Sequence, residues 1–135
     1  MIVVDTNVAA YFLIEGVGTR AAGAVHRKDP AWAAPLLWRS EFRNVLTLHL
    51  RQGRVTRPQA LVLMKEAEIL LGATDFHVDS ARVLDLSASS GCTAYDCEFA
   101  ALAEELQVPL VTSDRDLLKA FPALAVPLEK FAGAA

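Results

Sequence analysis

The chain of 135 residues is 53% apolar and 21% charged, with a formal net charge of −3 and two cysteines. A domain of this length buries enough surface to hold a core unaided, and the composition excludes both disorder and a disulfide scaffold. The longest apolar runs, such as residues 8–14, fall well below the ~18 residues of a membrane-spanning helix.

Residues 2–4 form a β-branched run ending at Asp5, which reads as a buried strand. This N-terminus lacks the basic stretch and small-residue cleavage site of a signal peptide, so the expectation is a cytoplasmic protein with no membrane partner. Residues 8–14 read as a short helix behind the capping residues Asp5-Thr6-Asn7, closed near Gly16 and Gly18. A helix over 19–27, a weaker strand over 32–35 and a long helix over 36–52 ended by Gly53 follow. Thr56 with Pro58 behind it opens a helix that runs to Leu71 and stops at Gly72. Residues 74–78 read as a strand, 79–89 as a helix, and Thr93 opens a helix to Leu106. The chain closes with a strand over 108–112, a short helix over 114–121 and a last strand over 125–128. Short apolar strands alternating with helices predict an α/β domain over 1–131, a central parallel β-sheet flanked by helices on both faces. Residues 132–135 read as a frayed C-terminal tail.

Charge is divided unevenly along the chain. Residues 1–57 hold eight Lys/Arg against four acids, and 58–135 hold five against twelve. Two chemically distinct surfaces are one reading, and chance segregation of solvated charges is the other.

In an open parallel sheet, ligands bind beyond the carboxyl ends of the strands. Asp5 directly follows the first strand, and Asp114 lies two residues past the 108–112 strand with Asp116 close behind. Asp96 falls in the first turn of the helix opened by Thr93, and Glu41 early in the 36–52 helix. At about 100° per residue, Trp38, Phe42, Val45, Leu46 and His49 form the apolar face of that helix, with Glu41 at its margin. Arg39, Arg43 and Arg51 occupy a separate sector.

Each acid has a local alternative. Asp5 and Asp114 can cap helices, Thr93-x-x-Asp96 is a capping-box pattern, and Asp116 suits the dipole of a first turn. Together, however, carboxylates converging on one sheet edge repel one another and raise each other's pKa. A divalent cation compensates for that, and oxygen ligands without nearby His or Cys point to Mg2+ or Mn2+.

Four blocks in order carry a resemblance. They are Asp5-Thr6-Asn7 after an apolar strand, Ser40-Glu41 on a helix, Thr93-Ala94-Tyr95-Asp96 with Ala100, Leu102 and Ala103 behind it, and Val111-Thr112-Ser113-Asp114-Arg115-Asp116-Leu117. Across essentially the whole chain, they resemble a PIN domain, closest in length and spacing to the VapC-type toxins of toxin–antitoxin pairs. The resemblance implies a Mg2+- or Mn2+-dependent endoribonuclease. Asp5, Glu41, Asp96 and Asp114 would be its catalytic, metal-holding acids, and Asp116 a fifth ligand. Thr6, Asn7, Thr112 and Ser113 would line that site. The resemblance further implies an RNA substrate, a cognate antitoxin and a homodimer; for the dimer the chain itself offers only its positive mean hydropathy, +0.31. A haloacid-dehalogenase-type phosphatase would need an acid where Asn7 stands, and a receiver domain an acidic pair and a late Lys that are absent.

Phosphodiester hydrolysis by metal-activated water needs no covalent intermediate. Ser40 and Ser113 have no neighbouring His in sequence to act as base, and His26, His49 and His77 are scattered. Cys92 and Cys97 lack further ligands at zinc spacing and read as buried thiols, and Trp32 and Trp38 read as core. Arg39, Arg43 and Arg51 are the candidates for holding RNA phosphates or an antitoxin, with a merely solvated face as the alternative. Two other functions stay open at this point. One is an RNA-processing PIN nuclease without antitoxin. The other is a non-catalytic PIN-fold binding module, whose expected signature is the loss of a carboxylate.

Overall fold

The structure is a computed structural model that describes residues 1–133. Four short parallel strands, β1 (Ile2–Val4), β2 (Trp32–Ala33), β3 (Leu110–Thr112) and β4 (Ala125–Pro127), form one sheet in the order β2-β1-β3-β4. Val3 pairs with Ala33 on one side and Leu110 on the other, and Val4 pairs with Val111. All three residues of β1 and of β3 are buried. A strand covered on both faces is apolar throughout, which explains Ile2-Val3-Val4 and leaves Thr112 as the polar exception at the end of β3.

The helices are α1 (Thr6–Leu13), α2 (Thr19–Lys28), α3 (Trp38–Arg51), α4 (Arg57–Leu71), α5 (Ser80–Ser90), α6 (Ala94–Leu106), α7 (Arg115–Ala120) and α8 (Leu128–Phe131). The chain leaves β1 through α1 and α2 to reach β2 on one side, then crosses back over β1 to β3 on the other. Right-handed crossovers in opposite directions put helices on both faces of the sheet. The gap between β1 and β3 is therefore the topological switch point, and the carboxyl ends of these two strands lie side by side there. Helix α6 packs on both β1 and β3. It buries Cys97 and then Phe99 through Ala103, which anchors its first turn at the same edge.

Most predicted elements form within one or two residues, with three differences. The strand expected over 74–78 is reduced to one parallel bridge, Pro35 with Phe76. Pro35 has no N–H to continue a ladder, so β2 also stops early. Leu36 then donates its amide to the Phe76 carbonyl at 3.1 Å. The 36–52 helix begins at Trp38, because residues 36 and 37 turn out of that bridge. Finally, the chain after β4 forms α8, which the sequence did not signal. The Ala132 and Gly133 amides bond back to Leu128 and Lys130 at 3.1 Å each, while residues 134–135 of the expected tail lie outside the described residues.

Trp32 and Trp38 are core residues, as expected. Cys92 and Cys97 are both free and buried. They flank the start of α6 in the positions before the cap and in the fourth residue of the helix, where apolar side chains fix the entry of the chain.

Candidate active site

Among the described residues, the buried polar or charged ones are Asp5, Thr6 and Thr112. All three lie at the β1/β3 edge. Buried polar groups must find partners, and these do so with one another and with the surrounding acids.

The Asp5 amide bonds to the Val111 carbonyl at 3.1 Å, which continues the β1–β3 ladder and fixes the residue at the strand end. Its side chain does not cap α1. Instead, Thr112 Oγ1 donates to Asp5 Oδ2 at 2.8 Å and accepts the Asp114 N–H at 2.9 Å. A single hydroxyl thus ties the acid of β1 to the loop after β3. Thr6, the next residue on, donates from Oγ1 to Glu41 Oε1 at 2.7 Å and so links α1 to the first turn of α3.

The local alternatives separate here. Asp114 does cap α7, since its Oδ1 accepts the Asp116 amide at 2.8 Å and the Leu117 amide at 3.2 Å. Thr93 caps α6 by accepting the Asp96 N–H at 3.1 Å, but no reciprocal bond from Asp96 completes a capping box. The Asp96 carboxyl is therefore not tied back to the Thr93 amide, although the Thr93 hydroxyl opposes the rise in its pKa. The other oxygens of Glu41 and Asp114 accept no hydrogen bond from a described residue, and no buried side-chain oxygen there lacks a partner. These oxygens are accordingly open to solvent.

Electrostatics shows which acids share a space. Burial lifts the Asp5 carboxyl above the ordinary aspartate range, opposed by the Thr112 hydroxyl and reinforced by Asp114. Burial also raises Glu41, against the Thr6 bond and with help from Asp5, Asp96 and Glu98. Asp96 is raised by burial, then by Asp114 and Asp5, with Asp116 adding to the repulsion. Asp5, Glu41, Asp96, Asp114 and Asp116 thus act on one another's charge. Asp96 and Asp116 line a cleft at this edge, and among the described residues no three His, Cys, Asp or Glu side chains form a ready-made metal cluster. The donor set consists of oxygens alone, which fits a hard cation such as Mg2+ or Mn2+ and not zinc.

The other expected site residues lie at the rim. Asn7, Ser113 and Asp116 are exposed, and Ser113 Oγ stands 3.4 Å from the Tyr11 hydroxyl. Glu98 joins the acidic field unannounced. It lies about 200° around α6 from Asp96, so a helical wheel separates them, and only Glu41 of α3 brings both into one field. The three arginines proposed to bind RNA or an antitoxin lie on α3. Arg39 pairs with Asp75 at 3.1 Å and lies over the Trp38 ring, 5.0 Å from its centroid. Arg39 and Arg43 each lie about 160° around α3 from Glu41, so the helix turns them away from the carboxylates. Arg43 and Arg51 are exposed.

The PIN domain family model matches residues 2–122. The chain belongs to the PIN domain family. Its VapC-type character rests on a relative, Ribonuclease VapC3 of Pyrobaculum aerophilum, 31% identical over 130 residues, which cover 93% of this chain and 98% of that protein. The crystal structure of PAE2754 from Pyrobaculum aerophilum has the same fold, with a TM-score of 0.77 at 23% identity over 98% of this chain and 93% of that one. The acidic edge described above is thus the carboxyl edge of a VapC-type PIN domain.

Proposed function

We propose that this PIN domain is a Mg2+- or Mn2+-dependent endoribonuclease and the toxin of a type II toxin–antitoxin pair. The observation that carries the reading is the hydroxyl-linked acid set. Asp5, held by Thr112, and Glu41, held by Thr6, share one field with Asp96 and Asp114 at the switch point of the sheet. The name of the VapC ribonuclease relative supplies the substrate class and the expectation of a cognate antitoxin.

Asp5, Glu41, Asp96 and Asp114 are the residues that would hold the cation, with Asp116 at the rim. When bound, such a cation lowers the pKa of a coordinated water and offsets the charge of the scissile phosphate. The chain contributes position and charge. Thr112 donates to Asp5 and opposes the rise that burial causes in its pKa, and the same hydroxyl fixes the Asp114 backbone. Thr6 performs the first task for Glu41. Burial of Asp5 keeps bulk water from competing for its carboxylate. Homodimerisation and a cytoplasmic location belong to the same proposal. No helix among the described residues is long and apolar enough to cross a membrane.

The test is Asp5→Asn and Asp96→Asn, assayed on RNA with Mg2+ or Mn2+ and again in excess EDTA. Each variant should lose cleavage with its circular dichroism spectrum intact, because a neutral amide is a weaker ligand for a hard cation. Full cleavage by either variant, or by the wild-type chain in EDTA, would contradict the proposal.

A further inference from the structure

We propose that Lys119 holds the phosphodiester backbone of the RNA strand where it leaves the acidic centre, an inference that rests on the ribonuclease reading above. A cleft of about 440 Å3 opens beside that centre, between the turn before α6 and helix α7. Asp96 and Asp116 lie on its wall, so the cleft is continuous with the acidic set. Lys119 is the one basic residue lining it. It is exposed, and no described acid pairs with it within 4.0 Å, although Asp116 stands only three residues earlier on the same helix.

An unpaired ammonium on the wall of an acidic cleft has a definite use in this chemistry. A polyanion that meets carboxylates is repelled, and a cation held among them can offset only the phosphate directly above it. The next phosphate needs its own positive partner, and a lysine supplies that as a point charge. Arg115 stands one turn earlier, about 40° around the helix, and extends the same basic edge back toward Asp114. The wall is open at Gly91, where an added Cβ would meet no atom within 4 Å. The alternative basic face, on α3, is turned from the acids and has Arg39 tied to Asp75.

The experiment uses the full chain and a fluorescent single-stranded RNA, titrated at several KCl concentrations in an Asp5→Asn background so that the RNA survives. Lys119→Ala should reduce the slope of log K against log salt by about 0.7, the loss of one single-strand phosphate contact. Lys119→Arg should restore the slope. In the chain with Asp5 intact, Lys119→Ala should raise the half-saturating RNA concentration more than it lowers the saturated single-turnover rate. Lys119→Ala with wild-type affinity and slope would overturn the inference, whether or not that variant loses a protein partner. An equal fall in slope for Arg43→Ala would overturn it too, because the attraction would then be diffuse. An otherwise wild-type chain that neither binds nor cleaves RNA would remove the ribonuclease reading itself and this inference with it.

Discussion

Thr112→Val is the sharpest single probe of the site. Valine matches threonine in shape, so the fully buried side chain loses its hydroxyl and leaves almost no cavity. Two bonds disappear, the 2.8 Å donation to Asp5 Oδ2 and the 2.9 Å acceptance from the Asp114 amide. A hydrogen bond to a charged group contributes about 1.5–3 kcal/mol, and a fully buried unpaired amide costs about 1–3 kcal/mol, an upper bound for the half-buried Asp114 amide. Partial protonation of Asp5 and rearrangement around Asp114 recover part of this, so the expected loss is about 3 kcal/mol. Unfolding entropy of about 2.1 cal/mol/K per residue, applied to the whole chain, converts that into a fall in Tm of roughly 10 °C. Loss of the Thr112 bond also pushes the Asp5 carboxyl further up, because that bond is the main influence opposing burial. The low-pH limb of RNA cleavage should therefore move to higher pH. Thr112→Ser keeps the hydroxyl and loses one methyl group, so it should cost about 1 kcal/mol and leave the pH limb in place. Differential scanning fluorimetry and a pH–rate profile read both effects. A Thr112→Val chain as stable as Thr112→Ser, with an unmoved pH limb, would show that the hydroxyl link is not what holds Asp5.

Two further outcomes follow from the charges. Because the folded state raises the Asp5 pKa, folding favours its protonated form, and the stability so gained is lost as pH rises from about 4 through the raised value. In EDTA, the Tm of Asp5→Asn should accordingly exceed that of the wild-type chain by a margin that grows with pH; a constant or shrinking margin would mean that Asp5 is not destabilised by ionisation. Arg39→Ala should lower stability by about 0.5–1 kcal/mol through loss of the Asp75 pair and the contact over Trp38, and should leave the RNA salt slope unchanged. A reduced slope with unchanged Tm would return Arg39 to the RNA surface.

What could be read in advance depended on how local each interaction is. Asp5 was legible because a carboxylate directly after a β-branched run must emerge at a strand's carboxyl end. Its tie to Thr112 was not, because that bond spans 107 residues and exists only through the register that sets Val4 against Val111. The cap made by Asp114 is a contact two and three residues long, and the sequence showed it as an alternative to a ligand role. The structure lets it be both, since one oxygen caps and the other is open. The partner of Arg39 was not legible, because a helical wheel shows which face a residue occupies and not what a distant loop brings to it; Asp75 lies 36 residues away. The strand expected over 74–78 failed for a related reason. Its apolar residues need a neighbouring strand to pair with, and the one beside them meets Phe76 only at Pro35. Lys119 was within reach of the sequence: Arg115 and Lys119 are one turn apart on a short helix in the acidic half of the chain.

The two threonines show how the fold tolerates an arrangement that burial and repulsion both oppose. A hydroxyl has one proton, so it can stabilise only one carboxylate. Thr112 gives that proton to Asp5 and uses a lone pair for the Asp114 amide, while Thr6 gives its own to Glu41. These neutral donors lower the cost of ionising the acids without adding positive charge. Among the described residues, none of Asp5, Glu41, Asp96, Asp114 or Asp116 forms an ion pair within 4.0 Å. A lysine or arginine in place of either threonine would offset one unit of the cluster's negative charge, and the acids would then have less charge to offer an ion. Hydroxyl donors hold the carboxylates in place and leave their repulsion uncompensated. Such a residual field is stabilised by a small divalent ion, so the same feature that weakens the fold is the one that the proposed chemistry requires.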